Sequence, residues 1–374
     1  MTKIPKIAMI PSAYKASKVY SVLPTNGDAD LDFARASTAT RVNEVGLIEE
    51  VASNVPRLDY SDGGCPVQLL EPESRNLITY SEDFTNASWD KTNGGTGVLP
   101  IVTTNQGISP KGDLTADRVQ FDLGGGTTAT DYSTITQTVI LSGVNSNTKS
   151  IYLKSNTDLS YDIFFGTTDG NAVFQKITVT SDWQRFEINQ PAPTDTTTNT
   201  VFGLRNFTGT TGQSNVADVL VWGAQIEEQS YATSYIPTSG ATATREAETL
   251  GKTGLSNYIN SSEGVLYAEI SALADDSTNR YIGICNGTAD ERVLIGFRDS
   301  SNTVRSIITG GSASDGIINF NVSDITIFNK IAVRYNSSEM NLWINGIKVG
   351  TDSSFILPNG LSQINFDSGG GSSN

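Results

Sequence analysis

Among 374 residues there is no histidine. This removes Ser–His and Cys–His nucleophilic catalysis, imidazole metal sites and any histidine pH switch. Cysteine is almost as scarce: Cys65 and Cys285 are the only two, far apart and without zinc-ligand spacing, so they read as a reduced, buried pair of thiols. Aromatic residues make up 8% and charged residues 17%, enough for modest β cores and little more. No apolar run approaches the roughly 20 residues that span a bilayer, so no membrane insertion is expected. Residues 1–24 hold Pro5, Pro11 and Pro24 and lack the apolar stretch of a signal peptide. Basic clusters are missing too. With 25 Lys+Arg against 40 Asp+Glu the net charge is −15, a balance that repels phosphate backbones and argues against nucleic-acid binding.

What the chain does have is Thr, Ser, Asn and Gly set between short β-branched or aromatic runs. Segments such as Thr134–Leu141, Lys149–Leu153, Ala172–Thr180, Val219–Ile226, Arg292–Arg298 and Met340–Val349 alternate at period two and end in turn residues. Asp169-Gly170-Asn171 and Asn345-Gly346 supply hairpin turns that tolerate positive φ. Amphipathic helices are absent between them, and only 87–89 and 246–250 offer single helical turns. The fold class is therefore all-β: an extended N-terminal arm followed by two antiparallel β-sandwiches of jelly-roll type. The arm, residues 1–76, is too poor in apolar residues to bury a core of its own and must pack on the next domain or on another subunit. Residues 77–250 form the first sandwich with its exit linker, and residues 251–374 the second, ending in a Gly/Ser tail.

Several motifs carry a family resemblance. The run from Phe33 to Asn43 (FARASTATRVN), then Gly46 to Glu49 (GLIE), Pro56 to Tyr60 (PRLDY), Leu69 to Pro72 (LLEP) and Asn76 to Glu82 (NLITYSE) follow one another in order. Trp222 to Glu227 (WGAQIE), Thr233 to Thr238 (TSYIPT) and Thr244-Arg245 close the set. Together these resemble the N-terminal part of bacteriophage tail-fibre and virion surface proteins. The resemblance implies a sandwich like those of carbohydrate-binding modules. It also implies attachment to other virion proteins through residues 1–76, a host-surface glycan as ligand, a place on the tail or particle surface, and a homotrimer. Residues 255–374, with Lys330 to Tyr335 followed by Asn341 to Gly346, look like a laminin-G or concanavalin-like sandwich. Those domains end in a strand pairing back near their start; here the chain is expected to reach its Gly/Ser tail before such a strand, leaving the second sandwich incomplete.

Sugar rings stack their C–H faces on exposed aromatic side chains. The candidates are Trp183, Tyr132, Tyr161, Phe207 and Tyr281. Trp222 and Trp343, each within an apolar run, read as core, and Trp89 as packing. Without histidine or a cysteine cluster, metal binding is restricted to oxygen ligands and hence to calcium. The resembling sandwiches often tie their chain ends through such an ion, which would place it at Glu82, Asp83 and Asp218. No strand carries the alternating acids of concanavalin-like glucanases, and no phosphate loop occurs. The expectation is a non-enzymatic tail-fibre or receptor-binding component. A capsid decoration or head-fibre protein and a polysaccharide depolymerase are the alternatives.

Overall fold

The computed structural model describes residues 4–205, 213–311 and 315–368. All regular elements among them are strands, and every sheet is antiparallel. Residues 87–89 form a turn and 246–250 run extended, so neither expected helical turn forms. The second is drawn straight because Thr249–Lys252 pairs with Leu31–Ala34, with Leu250 opposite Phe33.

The first sandwich stacks two five-stranded sheets. One runs Val98–Gly107, Ala116–Asp122, Val216–Glu227, Asn147–Ser155, Gln184–Gln190; the other runs Val173–Val179, Tyr161–Thr167, Thr197–Arg205, Tyr132–Ile140, Asp90–Gly94. Period-two alternation turns Val119, Phe121, Ile151, Leu153, Val219 and Val221 inward. At its centre Phe202 meets Phe84 and Phe121 edge-on, with ring centroids 5.9 and 5.8 Å apart, and Trp89 stacks obliquely on Phe84 at 4.7 Å. Such pairs add about 0.5–1.5 kcal/mol each beyond the area they bury. Gly203 lets the strands close: a Cβ there would lie 2.4 Å from the Ser133 carbonyl oxygen.

In the second sandwich a four-stranded sheet (Gly264–Ile270, Asn329–Tyr335, Met340–Ile344, Ile347–Asp352) covers part of a nine-stranded one. The larger sheet contains Gln363–Asn365, which pairs with Gly251 and Lys252 on one side and with Gly283, Ile284 and Cys285 on the other. A strand therefore does pair back beside the start of this domain, just before the Gly/Ser stretch. Three arm strands, Tyr14–Lys15, Lys18–Val19 and Leu31–Ala34, extend the same sheet through Thr249–Lys252. The arm is therefore not a free extension, and the boundary drawn at residue 250 falls inside a strand that joins it to the second sandwich. Cys285 is buried but Cys65 is exposed, which corrects the reading of both as buried thiols.

A buried ionic cluster fastens the arm to the end of the first sandwich and its exit segment. Arg57 donates to Glu71 at 2.7 Å, to both oxygens of Glu248, and to Ser234 Oγ at 2.7 Å. Arg35 reaches Glu248 at 2.7 Å, and Arg245 reaches Glu71 at 2.9 Å and the Pro72 carbonyl at 2.7 Å. All five charged side chains are at most 2% exposed. Burial pushes the Glu71 carboxyl up, but Arg57 and Arg245, with the Ser234 hydrogen bonds, overcome it and hold the group at about 2. Each motif residue of this cluster comes from a different part of the sequence pattern: FARAS, PRLDY, LLEP, TSYIPT and the Thr244-Arg245 pair. Beside it, the arm's Ile48 lies against Leu220, Trp222 and Tyr235 on the outer face of the first sandwich. Thr40 Oγ1 donates to the Tyr235 carbonyl at 2.5 Å. Trp222 is buried as expected, yet under the arm rather than between the two sheets.

Candidate functional site

Most of the aromatic candidates have no free face. Tyr161 belongs to the inner core, with its hydroxyl 3.0 Å from Thr157 Oγ1. Tyr281 is 7% exposed, packs with Leu294 and Ile307, and donates to Asn279 at 3.0 Å. Period two explains both: each sits on a strand whose neighbouring rows are covered, so the ring is spent on packing. Tyr132 is half-buried, and the Arg205 guanidinium occupies its ring face at 4.9 Å from the centroid. Trp183 packs beside Tyr152 on the arm-covered face and donates its indole N–H to the Ile108 carbonyl at 3.0 Å. Phe207 lies outside the described residues. Trp89 is core, its indole N–H held by the Tyr80 carbonyl at 2.8 Å.

The calcium set does not assemble. Asp218 forms a two-pronged ion pair with Arg118 on the neighbouring strand. Glu82 follows Ser81, whose carbonyl accepts from Ala224, six residues further along the strand that holds Asp218. At about 3.3 Å per residue the two acids stand about 20 Å apart. Glu82 and Asp83 do line a cleft of about 390 Å³ with Tyr80, Asn105 and Thr115. Their oxygens serve local donors: Glu82 accepts from Tyr235 at 2.8 Å, and Asp83 accepts from Thr85 Oγ1 at 2.6 Å. Asp117 beneath them accepts the Phe84 and Asn105 amides at 2.9 and 3.0 Å, and burial, aided by Asp83, pushes its carboxyl up. Among the described residues no group of three or more Cys, Asp and Glu is arranged to hold a metal ion.

A different surface has the chemistry that the candidates lack. On the outer face of the four-stranded sheet, Tyr267 stands opposite Ala332, Ala332 opposite Trp343, and Trp343 opposite Lys348. Neighbouring strands lie about 4.8 Å apart, so two rings flank the Ala332 methyl with about 10 Å between their backbones. Along the central strand, Lys330 and Arg334 project from the same face about 7 Å to either side of Ala332. Val265 extends the row toward Arg334. These residues enclose a groove of about 420 Å³. Tyr267 is 56% exposed and Val265 65%, while Trp343 is half-buried against the sheet. The groove is shallow and aromatic-walled, with polar groups at its ends and a small-residue floor.

Trp343 was read as core, and the opposite holds for a simple reason. Leu342 and Ile344 point into the second core, so the residue between them must point out. The same alternation places Tyr267 outward between Leu266 and Ala268, which pack on that core, and Ala332 outward between Ile331 and Val333. The signal was present in sequence once the inner residues of the central strand were fixed.

No protein-family model matches the sequence, and no curated protein matches it. Solved structures do show partial likeness. The enzymatically active domain of bacteriophage CBA120 tailspike protein 4 aligns at 15% identity and a TM-score of 0.28, over 40% of this chain and 21% of that one. The chain therefore spans about a fifth of the tailspike chain. The CBM22-1 xylan-binding domain from Paenibacillus barcinonensis Xyn10C aligns at 17% identity and a TM-score of 0.27, over 42% of this chain and 94% of that one. The CBM22-1–CBM22-2 tandem domain of the same protein aligns at 12% identity and a TM-score of 0.30, over 78% and 94%. Likeness at this level leaves function to be argued from the residues.

Proposed function

We propose that this chain is a non-enzymatic structural component of a bacteriophage virion, on the tail or particle surface, and that it binds host glycans through the groove on its second sandwich. The observation that carries the glycan reading is the row Tyr267–Ala332–Trp343: two rings rising from a rigid sheet around a floor small enough to admit a pyranose. Hydrogen-bonding groups lie at both ends of the groove, as sugar hydroxyls require. The ordered motifs from Phe33 to Arg245 support the virion placement. In this reading the N-terminal segment meets other virion proteins through its outward residues, among them Ile4 and Ile10, which are 76% and 60% exposed. A homotrimer would present three grooves together, and linked weak sites gain avidity by orders of magnitude.

The test is binding of the whole protein to host cells and to a glycan array. Tyr267→Ala and Trp343→Ala should each weaken binding about tenfold or more, since each removes about 1–3 kcal/mol of stacking and burial. Trp183→Ala should leave binding unchanged provided the protein stays folded. Reducing ends released from host polysaccharide would show a depolymerase instead, and equal binding by all variants would remove the groove from the account.

A further inference from the structure

We infer that the sugar taken by this groove is acidic, a pyranose bearing a carboxylate. This rests on the glycan reading of the same groove and adds the chemical class of its ligand. The first observation is where the charge stands. The chain as a whole carries −15. Many of its cations are matched to carboxylates: Lys18 to Asp32, Arg118 to Asp218, Lys176 to Asp162, Arg280 to Asp276. At the groove the pattern reverses. Lys330 and Arg334 are exposed, and among the described residues neither makes an ion pair or a side-chain hydrogen bond. Lys348, at the end of the Tyr267–Ala332–Trp343 row, donates to Asn341 Oδ1 at 3.0 Å. The one carboxylate facing this surface from the neighbouring strand is Glu269, opposite Lys330, and it forms no ion pair with it. Two unpaired cations thus line the groove, with Lys348 beside it and one carboxylate opposite Lys330, on a protein of net charge −15.

The second observation is direction. The rings stand across the sheet and the cations stand along the central strand, so a ring held between Tyr267 and Trp343 has its edges aimed at Lys330 and Arg334. A guanidinium presents paired donors that match a carboxylate's two oxygens, and an ammonium offers a compact charge at the opposite end. A sugar carboxylate would meet Arg334 or Lys330 while its C–H face stacks on the aromatic walls. A neutral sugar would use the walls and leave both charges unmatched. Because the cations are solvent-exposed, the preference should be modest and salt-sensitive.

The experiment compares acidic capsular polysaccharides with their carboxyl-reduced forms, in which each uronic acid becomes a neutral sugar on an unchanged backbone. The full-length protein should bind the acidic form about tenfold more tightly at low salt, and the difference should shrink as salt rises. The double variant Lys330→Gln, Arg334→Gln should lose the preference and bind the acidic and reduced forms equally. Both positions are exposed and leave Ile331 and Val333 in the core untouched, and circular dichroism checks the fold. Ala332→Leu, which fills the floor, should lose both ligands. Equal binding of the acidic and reduced forms, with loss of both on Ala332→Leu, would overturn the charge inference and leave the glycan reading standing. Binding unaffected by Ala332→Leu, or none across the panel, would remove the groove as a glycan site altogether and the charge inference with it.

Discussion

Arg57 is the side chain whose loss the fold should tolerate least. Its guanidinium joins Glu71 and Glu248 in a region from which water is excluded, and truncation leaves both acids buried with fewer partners. Breaking such a cluster typically costs about 3–5 kcal/mol, far more than an exposed pair. Arg57→Ala should therefore lower the chemical-denaturation midpoint sharply, whereas removing the exposed partner in Lys176→Ala should change it little. Glu71 gives the same cluster a pH dependence. Its folded carboxyl titrates at about 2, below the ordinary 4.5, because Arg57 and Arg245 outweigh the opposing effect of burial. A depressed acid stabilises fully above its unfolded value, and that contribution drains away as pH falls from about 4.5 toward about 2. The shift corresponds to about 3 kcal/mol. Urea midpoints measured across that window should fall steeply in the native protein and less so in Glu71→Gln; parallel slopes would contradict the assignment. The motif residues were visible in sequence, but their convergence was not, because charge pairing across the chain leaves no local pattern. Trp343 failed differently: an apolar neighbourhood suggested burial, while the alternation of Leu342 and Ile344 already assigned it to the other face.

At the scale of elements, strands and turns were the most legible feature. Asn345 and Gly346 sit at φ of 50° and 84° in the hairpin that carries Trp343, as an Asn-Gly pair between alternating runs demands. The arm was only half legible. Its shortage of apolar residues showed that it needed a partner, yet nothing local said that Leu31–Ala34 would lie beside Thr249–Lys252 or that Ile48 would cover Trp222. Those contacts make a prediction. Removing residues 1–60 strips three strands from the nine-stranded sheet and uncovers Leu220, Trp222 and Tyr235. The shortened chain should melt at a lower temperature than the full one and bind more of a hydrophobic dye. An unchanged melting temperature would mean that the arm contributes nothing to either sandwich.

For the molecule as a whole, composition was enough to exclude histidine chemistry and to give the all-β class, since short β-branched runs punctuated by turns leave no other economical burial. Which outer face stays open could not be read that way. The arm covers one outer face of the first sandwich, while on the four-stranded sheet of the second Val265 and Tyr267 stay exposed. The central claim is that a glycan is held, uncut, between Tyr267 and Trp343. Oxidative footprinting of the whole protein with and without host surface polysaccharide tests it most directly. The account predicts that Tyr267 and Trp343 become protected while Tyr132 and Trp183 keep their reactivity and the polysaccharide keeps its length. Protection confined to the first sandwich, or shortening of the polysaccharide, would contradict it.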